Sequence, residues 1–271
     1  MSCTAVRMRC APAEVMIRDY SEPDHTFVLY ARAMTRLHLG AALWTLCLVT
    51  FPAQVIAAAQ WPNPYSWSSN FISDLGVTSC RTFDAGTRVE RYICSPGHLL
   101  ANGSTIANGA LMAVGAILLW SVWPRQRTGK TAMFFLAAGG VLVMLVGFLA
   151  WDVHPGAHDA VALAQALMQW IGMAFLAFAL KGSTAARWAS ALTMASLALS
   201  IAGFVLFIDA ISGGPSISLG LGVTERLAFD TLTIWGAVLG VILLMTTLGH
   251  RSTASNQEAI PGSAPTTSPA A

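Results

Sequence analysis

Charge is scarce in this chain. Lys and Arg number 15 and Asp and Glu 13, so charged residues fill 10% of 271 positions against 55% hydrophobic. A soluble domain carries roughly a quarter charged residues, and that class is excluded. The formal net charge of +2 comes with no basic stripe suited to a nucleic-acid backbone, so nucleic acid is not an expected partner. The first 36 residues have no apolar core of a secretory signal and carry Glu14, Asp19, Glu22 and Asp24. No internal repeat is evident, which counts against repeat-built carriers.

What the chain does have is long apolar runs. Six stretches reach the length of about 20 residues needed to cross hydrocarbon, near 38–59, 98–122, 132–151, 158–180, 187–208 and 225–248. Only helices satisfy every backbone group within a lipid-exposed segment. The expected fold is therefore all-α: a polytopic membrane protein with a single six-helix domain over 37–250. A mobile cytoplasmic arm (1–36) precedes it, in which Met8, Met16 or Met34 could be the true start. A disordered tail (251–271), rich in Ser, Thr, Pro and Ala, follows.

Orientation follows from Lys and Arg. Eleven fall in the arm, the second and fourth loops and the tail, among them Arg7, Arg9, Arg18, Arg32, Arg36, Arg125 and Lys181. Only Arg81, Arg88, Arg91 and Arg226 fall on the other face. Both termini are thus expected in the cytoplasm of a cell that carries the protein in its plasma or inner membrane. Cys80 and Cys94 then lie in an oxidising space. A bridge between them would close a loop of about 15 residues, worth roughly 3 kcal/mol in the chain-entropy model; the alternative is two unrelated thiols. Cys3 and Cys10 fall on the reducing side, and Cys47 reads as a buried apolar residue.

The informative polar residues fall on the outer face. In the second span His98, Asn102, Thr105 and Asn108 recur at helical spacing, and in the fourth so do His158, Ala162, Gln165 and Gln169. Polar side chains in membrane helices face the bundle, so the stripes are expected to face each other or an outward-open wet cavity; interhelical glue is the plainer account of the amides. Gly236 and Gly240 read as close-packing sites. His154 and His158, four residues apart with Pro155 between them, could chelate a metal together with His98 and Asp74 or Asp152, and such a set suits zinc. The pattern lacks the internal Glu of HExxH. Ordinary boundary histidines and metal-free acid–base groups are the alternatives. Glu225 suits a helix N-terminus, while Arg226 either pairs with Asp230 or contacts an anion.

Within "YSWSSNFISDLG", the residues from Ser66 onward read as a short interfacial helix ending at Gly76, with Trp67, Phe71 and Leu75 on one face and Asp74 at its boundary. Trp61, Tyr65 and Trp67 are expected anchors at headgroup level. With "CSPGHLLANGS" entering the next helix, His158 opening the fourth span and "ER" near the last, this segment resembles a family of membrane proteins known as domain of unknown function 998. The resemblance covers roughly 37–248 and implies a six-helix bundle without an established activity, substrate or cofactor. Ahead of its loop histidine the family is nearer Pro-Glu-Asp, where this chain has Asp152-Val153-His154-Pro155. That departure favours His158 over His154.

Two functional readings follow. In the first, an outward-facing pocket binds or hydrolyses a lipid or lipid-linked molecule, with Asp74, His98, His158, Glu225 and Arg226 as the working residues and His154 secondary. His98 or His158 would serve as metal ligand or general base, Asp74 as ligand or orienter, and Arg226 as anion contact. In the second, the protein is a non-enzymatic carrier or scaffold whose outer loops contact a ligand or partner subunit.

Overall fold

The computed structural model describes residues 23–123, 126–180 and 184–258, with side chains over 32–123, 126–180 and 186–246. Among the described residues, six helices are long and apolar enough to cross a membrane: Arg32–Ala59, His98–Val122, Arg127–Phe148, Pro155–Ala179, Ala186–Ile211 and Leu221–Thr246. The all-α, six-span architecture is as expected. Cys3, Cys10, the three arginines before residue 19, Met8, Met16, Arg125 and Lys181 lie outside the described residues.

The first span is two helices, α1 (Pro23–Leu46) and α2 (Thr50–Ala59), joined by a single 3-10 turn over Cys47–Val49. Pro52 accounts for the break: it has no N–H to give, and its ring crowds the carbonyl of Leu48 one turn earlier. The remaining spans are α3 (His98–Leu119), α4 (Arg127–Phe148), α5 (Pro155–Ala179), α6 (Thr184–Ile211) and α7 (Leu221–Glu258). Pro155 opens α5 at a position where a missing N–H costs nothing. At both ends the helices outrun expectation, since α1 begins at Pro23 and α7 continues to Glu258.

The spans pack round a ring in chain order. Each of α3 to α7 contacts the next, α1 contacts α3, and α7 closes the ring on α1. Away from the loop that joins α2 to α3, the interior is sealed by Trp44, Leu136, Met173, Leu176, Leu232 and Trp235 with their neighbours. The two indoles there are satisfied, Trp44 by donating to Met112 O (3.1 Å) and Trp235 to Thr193 Oγ1 (3.0 Å). Glycines set the closest crossings, as membrane helices require where packing replaces a hydrophobic driving force. A Cβ on Gly109 would lie 2.5 Å from Gly140 O on α4, and one on Gly240 would lie 2.5 Å from Ala41 O on α1. Gly236 is different: its nearest neighbour would be Met112 Cε at 3.8 Å, so only Gly240 of that pair is a close crossing.

The loop between α2 and α3 forms a lid over the other end of the ring. It contains a two-stranded antiparallel hairpin, β1 (Arg81–Phe83) with β2 (Arg91–Ile93), and a disulfide joins Cys80 to Cys94 at its base. The expected interfacial helix is not continuous. Trp67–Ser69 form a turn and Ser73–Gly76 a 3-10 turn. Local side chains compete for the backbone there: Asn70 Oδ1 accepts from Ser66 N (3.0 Å), Ser66 Oγ from Ser69 N (3.3 Å) and Asp74 Oδ2 from Phe71 N (2.9 Å). Phe71 and Leu75 are buried in the protein and Trp67 is exposed.

The glycine crossings give a paired test. Gly109→Ala is expected to destabilise the α3–α4 contact by about 1–3 kcal/mol, read as a lower melting temperature in detergent. Gly236→Ala has room and is expected to leave it unchanged or slightly raised; equal losses in both would refute this account of the packing.

Candidate functional site

The lid is built on Asp74, which has no solvent exposure. Arg91, reaching back from β2, grips the carboxylate with two nitrogens: Nε lies 3.1 Å from Oδ1 and 2.9 Å from Oδ2, and Nη2 lies 2.9 Å from Oδ1. Its Nη1 donates to Asp84 Oδ2 (2.7 Å), and the guanidinium lies over the rings of Phe71 (4.1 Å) and Trp151 (5.4 Å). Burial works against the charge on Arg91, but the hydrogen bonds and charges of Asp74 and Asp84 outweigh it and hold its pKa above the ordinary value. Phe71 N–H and Asn70 Nδ2 complete the shell of Asp74.

The first turns of α7 clamp the same segment from below. Ile72 N–H donates to Glu225 Oε2, one residue after Phe71 N–H donates to Asp74. Arg226 gives Nη1 to the carbonyls of Trp67 (3.0 Å), Asn70 (3.1 Å) and Gly222 (2.9 Å), and Nη2 to the Tyr65 hydroxyl. Its Nε lies 4.0 Å from Asp230 Oδ2. Burial pushes the Tyr65 phenol above its ordinary pKa despite Arg226 alongside, so the hydroxyl stays protonated and donates to Phe71 O (2.8 Å). A third tie comes from the α4–α5 loop. Asp152 accepts from Thr78 N (3.0 Å), Thr78 Oγ1 (2.8 Å), Ser79 N (3.1 Å) and Ser79 Oγ (2.9 Å).

Beneath the lid lies a cavity of ≈ 120 Å³. Ile72, Ser73, Leu75 and Gly76 contribute its roof, and α2, α3, α4, α5 and α7 its walls. Both expected stripes meet there, Asn102, Thr105 and Asn108 from α3 with His158, Ala162, Gln165 and Gln169 from α5. Thr50 and Gln54 of α2 and Glu225, Asp230 and Thr233 of α7 join them. Asn102 Nδ2 donates to Gly76 O (2.9 Å), fastening the roof to α3. Deeper in, Asn108 Nδ2 donates to Thr233 Oγ1 (3.1 Å) and Gln165 Nε2 to Gln169 Oε1 (2.7 Å). Part of the amide lining is therefore interhelical glue.

The proposed working residues separate into those that line the cavity and those that do not. Glu225 and His158 line it; Asp74, His98 and Arg226 do not. His158 Nδ1 is 2.6 Å from Leu149 O. A carbonyl can only accept, so Nδ1 carries the proton, and in the neutral ring Nε2 is the basic atom. His98 is half-exposed, with Nδ1 3.0 Å from Ser95 O, and His154 is exposed just before α5. Among the described residues no group of three or more His, Cys, Asp or Glu is placed to hold a metal ion, so His98, His154, His158 and Asp74 do not form a zinc-ligand set. Thr50, Gln54 and Asp230, which also line the cavity, were not among the expected site residues. The i, i+4 pair Thr50 and Gln54 in an apolar span was the available signal.

Two outcomes test the lid. Arg91→Met strands a buried carboxylate and is expected to cost about 3–5 kcal/mol; adding Asp74→Asn is expected to recover most of the lost melting temperature, and failure to recover would show that the pair is not the source. For Asp152, burial is the largest single influence and raises the pKa, but the Thr78 and Ser79 donors together outweigh it and lower the pKa below the ordinary carboxylate value of roughly 4. Its stabilisation is complete above that value and is lost as pH falls through the depressed one. Wild type should therefore lose more melting temperature than Asp152→Asn between about pH 5 and pH 2, by a small margin because Asp152 is largely exposed.

The family model described as "Protein of unknown function (DUF998)" matches residues 45–242. No curated protein and no solved structure matches the chain. The matched span takes in the lid and all the residues that line the cavity, and this chain belongs to the DUF998 family.

Proposed function

We propose that this membrane protein receives the polar part of a lipid or lipid-linked molecule in the cavity beneath the lid, from the extracytoplasmic side of a cell membrane. The observation that carries this reading is the depth of the polar lining. Glu225 begins it near the lid, and Asn108, Gln169 and Thr233 continue it well into the membrane span. Polar and ionisable groups within a membrane span, here with Asp230 among them, are costly and mark ligand or ion sites in membrane proteins. The side follows from the Lys and Arg asymmetry of the loops. The apolar packing below the cavity favours a blind binding site over a through-passage.

Hydrolysis is a second reading, favoured by His158. Its Nδ1–H is held by Leu149 O, which leaves Nε2 as the basic atom of the neutral ring, and both His158 and Glu225 line the cavity. That is the arrangement a general base requires.

Mass spectrometry of lipids retained by protein purified in mild detergent tests the first reading. Wild type is expected to retain a lipid class that Ala162→Phe, which fills the cavity from α5, does not. Identical lipid content in the two would sink it. Cleavage of the retained molecule by wild type and not by His158→Ala would establish hydrolysis, and cleavage by both would remove His158 as its base.

A further inference from the structure

The charge of the cavity narrows what it can receive. Its lining includes two carboxyl groups, Glu225 and Asp230, and no Lys or Arg. The nearest cation, Arg226, has both terminal nitrogens engaged with lid carbonyls, the Gly222 carbonyl and the Tyr65 hydroxyl, leaving only its Nε toward Asp230 at 4.0 Å. When a bound cation draws both carboxyls into their ionised form, it is the counter-ion for the negative charge that Arg226 leaves unbalanced. An anionic phosphate placed among these groups would be repelled, and a neutral alcohol would leave the charge uncompensated.

A second observation is independent of the acids. Asn108 is 8% exposed and lines the deep end of the cavity, where its Nδ2 donates to Thr233 Oγ1 and its Oδ1 has no hydrogen-bond partner. A buried carbonyl without a donor is unfavourable, and a ligand N–H would relieve it. On α7, Asp230 follows Glu225 by roughly 7.5 Å of helix rise, and Thr233, the partner of Asn108, follows by roughly 12 Å. The space of ≈ 120 Å³ is larger than a bare ion requires and admits a short alkyl stem, since one water takes about 30 Å³ in the liquid.

We infer that the cavity, running from Glu225 at its lid end past Asp230 to Asn108 at its deep end, is a receptor for a protonated amine. Its N–H groups satisfy the Asn108 carbonyl and its charge balances the α7 carboxylates. The assignment rests on the cavity being the ligand site, and it sets the class of headgroup or solute as amine-bearing.

Ethanolamine is the probe, titrated into the full-length protein in detergent at pH 7. Ethylene glycol, sodium chloride and sodium phosphate at matched ionic strength serve as controls. A saturable rise in melting temperature with ethanolamine alone is expected. Asn108→Leu removes the unpaired acceptor, should fold, and is expected to weaken ethanolamine binding about tenfold or more. Glu225→Gln keeps an acceptor for Ile72 N–H and gives the same comparison should Asn108→Leu not fold. An equal rise with sodium chloride, ethylene glycol or phosphate would overturn the amine assignment, as would unweakened binding in both variants. A lipid retained by wild type and lost in Ala162→Phe, with no response to ethanolamine, would overturn the amine assignment alone and leave the receiving cavity standing.

Discussion

Arg91 and Asp74 form the contact on which the lid depends. A carboxylate with no exposure is tolerable only when its charge is matched and its oxygens are bonded, and here one guanidinium supplies most of both. Arg91 can reach because β2 lies antiparallel to β1 and the Cys80–Cys94 disulfide closes the hairpin at its base. With Asp74 fixed, the neighbouring amides of Phe71 and Ile72 are divided between Asp74 and Glu225. The roof of the cavity and the first turn of α7 are thereby set by the same few bonds.

The ring of helices has two unlike halves. At the lid end, polar side chains from α2, α3, α5 and α7 surround space; at the other end, Trp, Leu and Met fill it. A channel needs a polar or wettable path through both halves, and a repeat-built carrier needs broken helices paired across the bundle. Among the described residues the one broken span is the first, where the turn over Cys47–Val49, just ahead of Pro52, separates α1 from α2.

The spans are readable in the sequence because length and apolarity are properties of contiguous residues, and the two polar stripes are readable because helical spacing puts them on one face. The role of Asp74 is not readable in that way. Its partner lies seventeen residues on, across a hairpin whose register depends on the disulfide. In the sequence Arg91 looks like any loop cation. Arg226 shows the same limit: charge type suggests an anion contact, yet the carbonyls of Trp67 and Asn70 occupy it, and backbone carbonyls leave no trace in a sequence. The interfacial helix over 66–76 fails for a local reason, since three short polar side chains, those of Ser66, Asn70 and Asp74, offer the backbone other partners.

Closure of the ring by the last helix has a consequence for biogenesis. Helices enter the membrane in chain order, and the wall bearing Glu225, Asp230 and Thr233 arrives after every other. Until α7 docks on α1, Asn108 has no Thr233 to donate to, and the lid has neither Glu225 nor Arg226 to rest on. A nascent chain of five spans would therefore hold its amides against lipid or against the insertion machinery. The cavity is the final product of assembly, so chains arrested before the last span would be recognisable to quality control by their unpaired polar face.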